Sequence, residues 1–329
     1  MRNIYLALSA LFLLVVFLLN VFVYPSHTSP VESLQFDINP AKGINNPIKY
    51  LASFAAMLMI VLLYLSIITA GIVNLIIAIN RKNNKQPVIH MHDEPEKTFP
   101  ISLDDATRLF FHIISLLLLV YLGEIFIFRV VLRDKTFSDL TMLNFSLFSN
   151  VIIEATTILL TLRLFSESFL GLRVKKSFFV TLLKIYTATV PLLLITALIN
   201  NFLAKLINVP TAINPAVEIL LKISDKPTIF ALFLQAAILA PLSEELFFRG
   251  FLYKMFRTKH TFFISASVTS LFFAVIHGTP QDILPLAILG AALCYVYEKT
   301  QDITVPVIMH ALHNSLSLTY LLVMKSLSS

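Results

Sequence analysis

Three short stretches near the C-terminal end carry side chains that an apolar sequence does not ordinarily hold. The first, Pro241-Leu242-Ser243-Glu244-Glu245-Leu246-Phe247-Phe248-Arg249-Gly250, places two carboxylates and a guanidinium in an otherwise apolar run. On a helix Glu245 and Arg249 stand four apart on one face, with the acid before the base as favoured. Glu244 then points about 100° away, with no partner on its own helix. A carboxylate held in a water-poor site is suited to take a proton from water. The plainer explanation is a structural ion pair with a spare acid facing a neighbouring helix. The second stretch, Phe272-Phe273-Ala274-Val275-Ile276-His277, ends an apolar run on a histidine, and a helix-end histidine bonded to a carbonyl is its ordinary explanation. The third, Val305-Pro306-Val307-Ile308-Met309-His310-Ala311-Leu312-His313-Asn314, puts His310 and Asn314 four apart on one face, with His313 close to it.

Each stretch has a bland reading alone, but polar groups buried in lipid seek one another. Gathered together, a carboxylate, two imidazoles and an amide supply what water-mediated amide hydrolysis needs. They offer a base for the water, a donor for the leaving amine, and donors for the oxyanion. Other protease chemistries lack their residues: there is no GxGD for an aspartyl mechanism and no GxSx nucleophile for a serine one. The HExxH zinc motif is also absent. Two histidines and a carboxylate from separate helices nonetheless form a zinc-type donor set with an open position, so metal-assisted and metal-free versions both stand.

These residues need elements to position them, and the composition says what kind. Of 329 residues, 57% are hydrophobic and only 13% charged, with a mean hydropathy of +0.83. A soluble domain is nearer about 25% charged, so lipid is the solvent for most of this chain. Runs long enough for the roughly 20 apolar residues of a spanning helix are expected at 4–24, 50–80, 109–131, 140–165, 178–199, 228–253, 262–277, 283–297 and 303–324. The expected fold is therefore an all-α polytopic bundle of about eight or nine spanning helices. The first run is read as an anchor, because no small-residue cleavage site follows it before Pro25.

Polar loops with helix breakers separate the early spans at 25–49 and 81–108. The second holds His90, His92 and Asp93, which read as a solvated loop. The net charge of +6 sits mostly between apolar segments, so it signals topology and gives no interleaved nucleic-acid face. Arg81, Lys82 and Lys85, then Arg173, Lys175 and Lys176, then Lys254, Arg257 and Lys259, fall on one side, expected to be cytoplasmic. Arg133, Lys135, Lys205, Lys222 and Lys226 fall opposite. The single Cys294 cannot form an internal disulfide and reads as a buried thiol. Among other intramembrane polar residues, Glu154 and Lys184 are expected to pair.

Topology also poses a problem. If the last three spans each cross fully, His277 at the end of one and His310 near the start of another approach from opposite faces. They can meet only if a helix is short, tilted or broken, and Pro241, Pro280 and Pro285 mark places for a break.

The pattern EExxxR (Glu244, Glu245, Arg249), FxxxH (Phe273, His277) and HxxxN (His310, Asn314), in that order, resembles the CAAX protease and bacteriocin-processing family, also called the Abi family, which includes prenyl-CAAX endopeptidases. The wording LFFRG over 246–250 and VPVIMHALHN over 305–314 is similar to that family as well. The resemblance covers roughly residues 228–324 and leaves the first 200 without support. It implies that Glu244 acts as base with His277, that His310 and Asn314 bind the oxyanion, and that Glu245 with Arg249 braces the site. It also implies a metalloprotease version, in which Glu244, His277 and His310 hold zinc.

Three regions follow: transmembrane helices of unassigned role at 1–200, an interfacial linker at 201–227, and a CAAX-protease-like core at 228–329. The expected function is an intramembrane endopeptidase with a water nucleophile and no acyl-enzyme, acting on a membrane-associated protein or peptide. Membrane lipid is its surroundings, nucleic acid is no partner, and the cell membrane is its expected place. A non-catalytic scaffold or bacteriocin-immunity-type protein is the alternative from another class, and a transporter is the third.

Overall fold

A computed structural model describes residues 139–165, 170–171, 176–206, 215–277 and 282–328, with a few isolated positions before them. The spans expected at 4–24 and 109–131, nearly all of 50–80, and the loop carrying His90 and His92 lie outside the described residues. Within them every regular element is helical: α1 (Asp139–Leu164), α2 (Lys176–Leu206), α3 (Pro215–Lys222), α4 (Lys226–Arg257), α5 (Phe262–His277), α6 (Ile283–Thr300) and α7 (Thr304–Ser328). Stretches of α1, α2, α4, α6 and α7 are long and apolar enough to cross a membrane, and α5 is a shorter apolar helix. The chain is an integral membrane protein. Its outward faces agree, since Phe148, Leu159, Leu198, Phe202 and Phe230 are all more than 60% exposed and need an apolar solvent.

Helix α4 is the centre, packing against α1, α5, α6 and α7. It begins at a cap: Asp225 accepts from the backbone N–H of Thr228 at 2.9 Å and from its hydroxyl at 2.6 Å. Those two bonds hold the Asp225 carboxyl below the usual carboxylate range. Pro227 follows in the first turn, where its missing N–H leaves no bond unmade. At about 1.5 Å per residue the 32 residues run on the order of 48 Å, longer than the roughly 30 Å hydrocarbon core.

The break expected at Pro241 does not occur, and the helix continues through it. It does so by widening: residues Gln235–Leu239 form a π-helical turn, and the N–H of Ala240 reaches back five residues to the Gln235 carbonyl. The wider turn relieves the clash a proline ring makes with the preceding turn. In that register the next bond would run from residue 241 to the Ala236 carbonyl, and proline has no N–H to give. A second π-helical stretch, Leu246–Tyr253, follows at once, so the two glutamates sit on a short α-helical segment, Ala240–Glu245, between two widened ones.

Around the second widened stretch lies the larger core, with Phe248, Phe251, Phe272, Phe273 and Tyr297 all under 5% exposed. A smaller apolar core joins α2, α6 and α7 through Leu182, Tyr186, Leu293 and Met309. At the far end of α4, Arg257 donates from Nη2 to Glu298 at 2.8 Å and Tyr253 donates its hydroxyl to the same carboxylate at 2.6 Å. This pins α4 to α6. At its near end Lys325 of α7 donates to the carbonyls of Leu220 and Ile223, capping the open C-terminus of α3.

Candidate active site

All seven residues singled out by the motifs lie on the faces that α4, α5 and α7 turn toward one another. Glu244 is the meeting point. One of its oxygens, Oε1, stands 2.9 Å from His277 Nε2, and the other, Oε2, stands 3.7 Å from His310 Nε2. The opposed approach of the two histidines is resolved by length and position. Helix α5 is only 16 residues long and carries His277 at its end, while His310 lies seven residues into α7.

The partners of the other ring nitrogens fix the protons. His277 Nδ1 is 2.7 Å from the Phe273 carbonyl, which can only accept, so Nδ1 carries a hydrogen. With Nδ1 protonated, the 2.9 Å contact at Nε2 needs a second proton, shared between the imidazole and Glu244 Oε1. His310 Nδ1 is 2.8 Å from Glu245 Oε1, which already accepts from Arg249 Nη1 at 2.8 Å, so His310 donates there too. Both imidazoles therefore turn Nε2 toward Glu244. At 3.7 Å the His310 contact exceeds a hydrogen bond, and the two atoms face a shared space.

Beneath them lies a buried ion pair. Glu245 and Arg249 are both fully buried, and Arg249 extends Nη2 to the Gly290 carbonyl of α6 at 2.9 Å. Two aromatic faces also receive the guanidinium, at 5.0 Å from the Phe273 centroid and 5.7 Å from Phe248. Phe273 thus has several duties. Its carbonyl orients His277, and its ring lies 4.3 Å from the His277 ring and 5.7 Å from the His310 ring. The exposure gradient suits a reaction site: Glu244 and His277 side chains are 21% and 27% exposed, His310 4%, Glu245 and Arg249 0%.

Asn314 is held elsewhere, donating from Nδ2 to the Ala236 carbonyl at 2.8 Å. One of its two amide hydrogens is thereby committed to the widened turn of α4. His313 faces Tyr186 of α2, whose hydroxyl stands 3.5 Å from its Nδ1. The expected Glu154–Lys184 pair does not form: Glu154 accepts from Gln235 Nε2 at 3.2 Å. Gln235 and Gly290 were not anticipated from sequence. Gly290 had a signal, being one of only seven glycines and lying in an apolar helix where a close approach is the usual reason. Gln235 had only its polarity.

By type and tautomer Glu244, His277 and His310 suit a divalent cation, since each imidazole has its Nδ1 fixed by an oxygen and its Nε2 presented. As they stand these donors engage one another, and among the described residues no three such side chains are arrayed as a cation site.

Comparison with known proteins agrees with the motifs. Residues 226–316 match the family model described as type II CAAX prenyl endopeptidase Rce1-like. The chain is 34% identical over 132 residues to UPF0177 protein YaiF of Lactococcus lactis, covering 38% of this chain and 59% of that protein. It is 32% identical over 99 residues to an uncharacterized 24.3 kDa protein of Escherichia coli, covering 29% of this chain and 46% of that protein. It is 26% identical over 80 residues to YdiL of Bacillus subtilis, provisionally named a membrane peptidase, covering 24% of this chain and 33% of that protein. In each case the match spans less than two thirds of the relative's length. No solved structure matches the chain. Over residues 226–316 this membrane protein is therefore similar to the Rce1-like CAAX prenyl endopeptidases, in the same stretch that holds its three motifs.

Proposed function

We propose that the chain is an intramembrane endopeptidase, similar to the CAAX proteases, that hydrolyses a peptide bond of a membrane-associated protein or peptide in the cell membrane. The observation that carries this reading is Glu244 lying between two imidazoles that each present Nε2 to it. Glu244 takes a proton from the attacking water at Oε2, the oxygen that faces the space shared with His310. His277, sharing a proton with Oε1, delivers it to the departing amine. His310 is polarised from behind by the buried Glu245–Arg249 pair, as a carboxylate orients the histidine of a hydrolase. With Nδ1–H held by Glu245, its Nε2 carries a second proton in the reacting state and donates to the developing oxyanion, with the remaining N–H of Asn314 as second donor. Water adds one hydroxyl to the carbonyl carbon, the C–N bond breaks, and both water hydrogens end on the amine as the new carboxylate ionises. Glu244, His277 and His310 are also the residues that would hold zinc, which when bound polarises a carbonyl and acidifies its water.

The test is cleavage in proteoliposomes of two quenched fluorescent peptides, one farnesylated at a C-terminal CAAX cysteine and one unmodified transmembrane segment. Wild type is expected to cut one of them, and Glu244→Ala to lower turnover by about 10²- to 10⁴-fold while the protein remains folded and inserted. Full retention by that variant overturns the assignment. A scaffold would keep its cellular phenotype with Glu244→Ala.

A further inference from the structure

Helix α1 lies outside the stretch that matches the family model, yet it packs along α4 at the segment holding both glutamates and at the widened turns on either side. Its one acid there is Glu154, sixteen residues into the helix and only 9% exposed. Buried carboxylates normally have a cation or a set of donors to offset the loss of water. Glu245 follows that rule with Arg249. Glu154 does not: among the described residues it forms no ion pair, its Oε1 meets only the neutral amide of Gln235, and its Oε2 is buried with no partner.

A buried acid without a cation, on a helix packed against the segment that carries Glu244, is costly to the fold. Such a cost is retained where it serves the reaction, and a hydrolase embedded in lipid has one need its apolar helices do not meet, a fixed place for water. A buried water makes about three hydrogen bonds to polar groups that would otherwise lack partners. We infer that Glu154, together with Gln235, forms a water-holding station beside Glu244, so that Glu154 acts as a positioning residue for the hydrolytic water. This rests on the peptidase reading above and adds to it a residue from the unmatched half of the chain. Gln235 fits the role because it belongs to the widened turn that also holds Asn314, so the station and the oxyanion side share one piece of backbone.

The test combines three readouts on full-length protein in detergent or proteoliposomes. The double variant Glu154→Leu with Gln235→Leu removes both polar partners together, which is neutral or stabilising when their role is not structural. Its melting temperature is expected to equal or exceed that of wild type, and a fall of several degrees overturns the proposal. On whichever peptide wild type cleaves, Glu154→Leu is expected to lower kcat by about ten- to a hundredfold with KM unchanged. Glu154→Gln, which keeps an oxygen for the water, is expected to recover most of that loss. An unchanged kcat in Glu154→Leu overturns the proposal. Infrared difference spectra of wild type against Glu154→Gln, in H₂O and D₂O, read the water without any substrate. The Glu154 carboxyl bands are expected to shift within minutes of transfer to D₂O, and bands that stay fixed for hours overturn the proposal. If wild type cuts neither peptide, the peptidase reading loses its support, while the melting and infrared results still decide whether Glu154 holds water.

Discussion

Asn314 donates from Nδ2 to the carbonyl of Ala236 across 2.8 Å, and Ala236 is the residue whose π-helical partner would be the N–H that Pro241 lacks. The proline leaves a carbonyl unpaired within a membrane helix, and a side chain from α7 takes it. Asn314→Ala should therefore cost about 1–2 kcal/mol of stability by leaving that acceptor unmet. Pro241→Ala supplies the missing N–H, so in its background the Asn314→Ala cost should fall by at least half. A double-mutant cycle from thermal melts measures the coupling. Equal costs in both backgrounds would show that the bond does not serve the backbone.

The two adjacent glutamates should separate by stability. Glu245 is fully buried and holds both Arg249 and His310, so Glu245→Ala strands a buried guanidinium and should cost about 3–5 kcal/mol. Glu244 is 21% exposed and faces the open side of the site, so Glu244→Ala should leave melting within about 1 kcal/mol of wild type. Melts of detergent-solubilised protein check both. A large loss from Glu244→Ala would make it a structural acid.

The three motifs were legible because intramembrane charge is rare enough to be informative, and their helical spacings put Glu245 with Arg249 on one face as the structure has them. Span positions were legible for α1, α2, α4, α6 and α7, whose apolar runs are long enough to cross a membrane. Their ends were less so: α2 continues to Leu206 and α4 to Arg257, because polar residues at a membrane surface do not stop a helix. Pro241 signalled an irregularity correctly, but sequence does not distinguish a broken helix from a widened one. The partner of Glu154 was illegible, since choosing Gln235 over Lys184 requires knowing which helix α1 packs against. That choice is made by packing across 81 residues of chain, beyond any local spacing.

Metal analysis should distinguish the two versions of the chemistry. A proton shared across the 2.9 Å between Glu244 and His277 needs no cation, so EDTA or 1,10-phenanthroline should leave turnover within about twofold of the untreated enzyme. The check pairs that assay with elemental analysis of purified wild type, His277→Ala and His310→Ala. Stoichiometric zinc in wild type, lost from both variants and removed together with activity, would overturn the shared-proton reading and make the three side chains ligands.

Gly290 links the packing of the bundle to the site's electrostatics. A Cβ added there would lie 3.0 Å from both Cα and Cβ of Ser270 on α5, tighter than ordinary contact and partly against backbone, so α5 and α6 must separate to admit it. The carbonyl of the same residue accepts from Arg249, and Arg249 holds the Glu245 that orients His310. Gly290→Ala should therefore cost about 1–3 kcal/mol through overpacking and should lower cleavage beyond what the loss of folded protein explains. Ser270→Ala should not rescue it, because the Ser270 Cα remains in the way. Melts and turnover per folded molecule, measured on the same preparations, test the two effects separately. A variant with lowered melting and unchanged turnover would show that the path from Gly290 through Arg249 and Glu245 to His310 supports the fold alone.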